Sequence, residues 1–132
     1  MFLDVLSNEE KEWFMDLAIK AAEANGEVAK EEIRMLHAFA AEMKINSRIK
    51  TNRNLSQILQ DFVEKSSKKS MKVVLFELVG ILFADSEFDE QEKAFLNQVK
   101  NAFGFDDSLL NEMLSEIKEY SALFKKICKT VL

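Results

Sequence analysis

Residues 73 to 84 read VVLFELVGILFA, a run that is apolar on nearly every face of a helix. Left on a surface it would hold a large hydrophobic area in water, at a cost of about 25 cal/mol per Å². It must therefore be the central helix, with the other elements packed around it. Its one charge, Glu77, shares an edge with Gly80 and Ala84 at helical spacing. Gly80 permits close approach of a neighbouring helix, and Glu77 is expected to reach solvent along that edge or to pair with a Lys or Arg. The run is broken by Glu77 and falls short of the roughly 20 residues that span a bilayer.

Around it, apolar residues recur three and four positions apart. Phe14, Leu17, Ala18 and Ala21 form one stripe; Ile33, Leu36, Ala40 and Met43 a second; Leu55, Ile58, Leu59 and Phe62 a third. Phe95, Val99, Ala102 and Phe103 follow, then Leu110, Met113, Leu114 and Ile117, and last Phe124, Ile127, Cys128 and Val131. With the 70–84 segment these predict seven helices. Ser7 with Glu10 three residues on is a capping box that marks the first start. The chain has 132 residues, no proline and three glycines, so little interrupts a helix. An all-α fold in a single domain over 1–132 is expected.

Shifted by 60 residues, AEANGEVAKEEIRML (22–36) lies over LFADSEFDEQEKAFL (82–96). Ala24, Glu27, Glu32 and Leu36 meet Ala84, Glu87, Glu92 and Leu96, and Asn25 stands over Asp85. Two related helical hairpins, each with an acidic corner, are the expected arrangement. Helix capping accounts for part of each corner. Asp89 with Glu92 spells a capping box, a cap being worth about 1 kcal/mol. In the first copy Ala29 leaves that cap missing, Val28 and Ile33 take the spacing of a hydrophobic staple, and Gly26 suits a left-handed turn. Capping needs only one or two acids, whereas the second corner carries Asp85, Glu87, Asp89, Glu90 and Glu92. A divalent cation would relieve their repulsion, and such oxygen ligands suit calcium or magnesium rather than zinc. An EF-hand loop is excluded, because Glu90 and Leu96 stand where it needs Gly and Glu. Caps alone and a cation site both remain open. The candidate ligands are Asp85, Glu87, Asp89 and Glu92, with Asn25 and Glu32 in the first copy.

With ANGEVAKEE and ADSEFDEQE at two helix corners, the chain resembles the TerB-like group, named for tellurite resistance, over residues 10 to 120. The resemblance implies an all-helical fold of two related halves, acidic corner residues that bind metal, and a non-enzymatic role in stress response. Asp85, Asp89 and Glu92 hold the acidic positions of its motif in the second copy, and Asn25 and Glu32 in the first. Glu27 and Glu87 fill its variable position. Asn25 replaces the motif Asp and Ser86 the motif Gly, and an Asn carbonyl brings no charge to a metal.

A formal charge of -5 argues against nucleic acid as a partner. The one basic concentration, Lys65, Lys68, Lys69 and Lys72, is read as a solvated connection, or else as a contact for anions such as lipid headgroups. A protein partner is expected, with a peripheral membrane contact as a further option and no small-molecule substrate. Catalysis finds little support. His37 has no Cys or second His at ligand spacing, and there is no phosphate loop or nucleophile elbow. Cys128 has no disulfide partner and is expected to be buried on the last apolar face. The opening stretch MFLDVLSNEEKEWF lacks a basic segment followed by an apolar run, so no secretory signal and a cytoplasmic location are expected.

Overall fold

The computed structural model describes residues 1–24, 26, 28–82 and 90–132. Among them are six α-helices and one 3₁₀ turn, Leu3–Val5, and no strand. The helices are α1 Asn8–Glu23, α2 Lys30–Met43, α3 Leu55–Lys65, α4 Lys68–Leu82, α5 Glu90–Phe103 and α6 Asp107–Val131. The stripes at 110–117 and 124–131, expected as two helices, lie on the single helix α6. Between them the sequence has no glycine or proline, and Tyr120 keeps the two stripes in phase.

Two helices share the interior. α4 buries Met71, Val74, Leu75, Leu78, Val79, Ile81 and Leu82, as its composition demands, and it packs on α1, α5 and α6. α1 is as central, which its more polar sequence does not announce. It buries Phe14, Met15, Leu17, Ala18, Ile19, Ala21 and Ala22 and packs on α2, α3 and α4. Advanced by 60, these seven positions of α1 are seven of the eight buried positions of α4, with Glu77 standing where Leu17 does and Met71 as the eighth. The bounds of α2 advanced by 60 are those of α5. Even the caps correspond: Lys44 and Gly104 both take left-handed backbone, at φ 58 and 77. The next amides, Ile45 and Phe105, donate to the carbonyls of Ala40 and Lys100 at 3.0 and 3.1 Å, a Schellman ending in each.

Aromatic rings tie the layers together in edge-to-face pairs. Trp13 of α1 meets Phe62 of α3 at 5.4 Å, Phe62 meets Phe103 of α5 at 5.6 Å, and Phe14 meets Phe39 of α2 at 5.6 Å. The α2–α3 connection is pinned by charge. Buried Asp16 accepts from Arg48 at 2.6 Å and lies 3.6 Å from Arg53, and Arg48 also donates to the Glu12 carbonyl at 3.0 Å. Removing the acid would leave both guanidiniums over an apolar surface with one partner fewer.

Lys65 to Lys72, expected as a solvated connection, are instead mostly helix ends, since only Ser66 and Ser67 join α3 to α4. Ser67 Oγ accepts from the Ser70 amide at 3.1 Å and caps α4. Lys68 donates to the Phe103 carbonyl at 2.7 Å, satisfying the end of α5, and stands over the Phe105 ring.

At the start of α1, Ser7 Oγ accepts from the Glu10 amide at 3.2 Å and Glu10 Oε1 accepts from the Ser7 amide at 2.9 Å, the expected capping box. Burial works to raise the Glu10 pKa. The hydroxyl of Ser66, the Ser7 amide and hydroxyl, and the Ser70 hydroxyl outweigh it, so the carboxyl sits below its ordinary value. Ser66 Oγ has no partner at full hydrogen-bond geometry, so it acts as a nearby dipole. A carboxyl depressed in the folded state contributes stability above its unfolded pKa and loses it as pH falls through the folded pKa. Urea midpoints measured from neutral pH down to pH 3 should therefore fall, and Glu10→Gln should fall less steeply over the same range. Parallel curves for the two proteins would refute the assignment.

Candidate functional site

At the α1–α2 corner, Glu32 is the third residue of α2 and half-buried, and its Oε1 accepts from the Ala29 amide at 2.9 Å. Ala29 has no side-chain acceptor to return, so half of a capping box forms where none was expected. Val28 packs on the core and Ile33 is half-buried, in keeping with a staple. Gly26 takes φ 122, a conformation other residues rarely adopt, and its amide donates to the Glu23 carbonyl at 3.0 Å. At the α4–α5 corner, Glu92 is the third residue of α5 and half-buried, matching Glu32, and Glu90 lies 3.8 Å from Lys93. Asp85, Glu87, Asp89 and Asn25 lie outside the described residues. Among the described residues no group of three His, Cys, Asp or Glu side chains is placed to hold a metal.

Glu77 departs from expectation. It is 7 % exposed and pairs with neither Lys nor Arg. Its Oε1 lies 2.9 Å from the Met1 ammonium and accepts from the Phe2 amide at 2.6 Å. Glu42 of α2 takes the same ammonium at 3.2 Å and the Leu3 amide at 3.3 Å. Two acids on different helices thus draw the 3₁₀ turn between α2 and α4, where Leu3 is fully buried and Phe2 meets Phe76 at 5.8 Å. Burial works against the Met1 charge, but Glu77 and then Glu42 outweigh it and hold the ammonium pKa above its ordinary value.

Beside this clasp lies an apolar groove of about 280 Å³ between Met1, α4 and α6. Phe76, Glu77 and Gly80 form one wall; Ile117, Tyr120 and Phe124 form the other. A side chain at Gly80 would meet Ile117 Cδ1 at 3.7 Å, an ordinary contact, so α6 lies close there. Among the described residues, Glu77 is the one carboxylate that faces the groove, and it is already engaged. His37 is elsewhere, exposed on α2 against the Ser47 hydroxyl.

From the groove onward the apolar stripe of α6 is exposed among the described residues. Tyr120, Leu123, Phe124, Ile127 and Val131 are each about half exposed or more, and Cys128, expected to be buried, is half-buried. The periodicity that marked these residues as core was sound as a helix signal, but a stripe does not say whether anything covers it. None of the helices among the described residues is long and apolar enough to cross a membrane.

Replacing Glu77 with Ala should free the Phe2 amide and the Met1 ammonium and loosen the 3₁₀ turn. Removing a charged, buried acceptor costs roughly 2 kcal/mol. Native-state hydrogen exchange of the Val5 and Leu6 amides should accelerate accordingly, while α3 amides keep their protection. Unchanged exchange at Val5 and Leu6 would show that Leu3 burial alone holds the turn.

No protein-family model matches the chain, and no match is found among curated proteins or solved structures.

Proposed function

We propose that this chain is a non-enzymatic, TerB-like helical module of the tellurite-resistance and stress-response kind. On this reading it is built from two related hairpins, takes a divalent cation at its acidic corner, and works by surface contact with another macromolecule. One observation carries it: the 60-residue register that aligns the two corners in sequence also aligns the buried positions of α1 with α4, the bounds of α2 with α5, and their left-handed endings. A repeat that reaches helix bounds and endings supports reading the two acidic stretches of the sequence as related rather than as a chance cluster of acids. The exposed face of α6 supports action by contact.

A reading with caps alone is favoured by one specific contact, the Glu32 carboxylate already accepting from the Ala29 amide. Thermal melting separates the two. With Ca²⁺ or Mg²⁺ at 100 times its dissociation constant the folded state gains about 2.7 kcal/mol, a rise of roughly 10 °C in a domain of this size. The double change Asp85→Asn and Asp89→Asn should remove the rise. No rise with either ion, or the same rise in the double variant, would leave capping as the sole role of the corner.

A further inference from the structure

We infer that the last four turns of α6, together with the start of α4, form a docking end for an anionic lipid surface. This rests on the reading of the chain as a contact module and names the surface contacted.

Tyr120, Leu123, Phe124, Ile127 and Val131 form one apolar stripe along α6. The opposite side carries Lys125, Lys126 and Lys129, all exposed. A helix with aromatic and aliphatic residues on one face and lysines on the other is the form that lies in a membrane interface, its apolar face sunk to the acyl boundary. Long lysine stems reach back to the headgroups.

The fold adds charge from a second helix. α4 and α6 run antiparallel: Gly80 faces Ile117, and Phe76 faces Tyr120 and Phe124. Lys69 and Lys72, exposed in the first turns of α4, therefore lie at the same end of the molecule as the last turns of α6. Five lysines gather there in a chain whose net charge is -5. That polarity orients the molecule toward an anionic surface with its lysine end first.

A second copy of the chain fits less well. The bare seam of Tyr120, Phe124, Ile127 and Val131 covers under two heptads, short of what sustains a coiled coil, and a parallel pairing would bring two lysine-rich ends together. The groove takes up only Tyr120 and Phe124, so Ile127 and Val131 extend beyond anything it could hold.

Flotation of the full chain with lipid vesicles tests this. The chain should float with vesicles of phosphatidylcholine and phosphatidylserine, remain behind with phosphatidylcholine alone, and release as salt is raised. The triple change Lys125→Gln, Lys126→Gln, Lys129→Gln should weaken binding about a hundredfold. Phe124→Asp with Ile127→Asp should abolish it; both sites are exposed, and circular dichroism checks that the helices persist. Binding unaffected by either set, equal binding to both vesicles, or no binding would overturn the inference. So would a dimer in light scattering that the two Asp changes dissociate, because a second copy would then own the stripe. That last result would keep the contact reading while removing the lipid, and the cation reading is judged separately by melting.

Discussion

The contact between α1 and α4 governs everything else in this molecule. Each is buried along most of its length, and each needs neighbours on several sides to keep its apolar surface from water. α2 and α3 cover α1; α5 and α6 cover α4. The equivalence is incomplete in one respect. α3 lies between α1 and α5, whereas the corresponding place between α4 and α2 is held by the 3₁₀ turn with Leu3 and Phe2. Among the described residues, α6 packs chiefly on α4 and meets α5 near its start, through Lys100 and Asp107. Its bare stripe follows from how a six-residue segment fills a space that a helix fills in the other half.

Charge decides where the connecting segments settle. Asp16 is a buried acid with two arginines from the α2–α3 connection, and Glu77 is a buried acid with an ammonium and an amide from the 3₁₀ turn. Both occupy the interior helices. An acid placed there must be partnered, because leaving it alone in low dielectric costs several kcal/mol. Each therefore helps to select one conformation for a connecting or terminal segment, in the 3₁₀ turn alongside the burial of Leu3 and Leu6. Lys100 repeats the device on α5, buried and paired with Asp107 at the start of α6.

Much of this was legible in the residues. Stripes at three and four spacing located every helix, Ser7 with Glu10 marked the first start, and VVLFELVGILFA placed α4 inside. The single helix α6 is legible too, since Ile117, Tyr120 and Phe124 continue one stripe from 110–117 into 124–131 without a break. Three features were not legible, for physical reasons. Asp16 finds its arginines more than thirty residues away, beyond any local pattern. Glu77 is satisfied by backbone and terminal nitrogen, which no side-chain pattern announces. Burial of a stripe depends on a partner, and in α6 the same spacing that gives core at Leu110 and Met113 gives open surface at Phe124 and Ile127. Of the candidate ligands, Glu32 and Glu92 stand at matching places on α2 and α5, as the repeat requires.

The central claim is that α6 is two things in one helix, core up to Ile117 and bare surface beyond. Residue-resolved hydrogen exchange on the isolated chain measures this directly. Amides from Met113 to Ile117 should exchange as slowly as those of α4, and protection should fall steeply from Tyr120 onward, where only the helix's own hydrogen bonds resist opening. Protection that stays level to the last turn would contradict the account, because it would mean that the stripe is covered in solution.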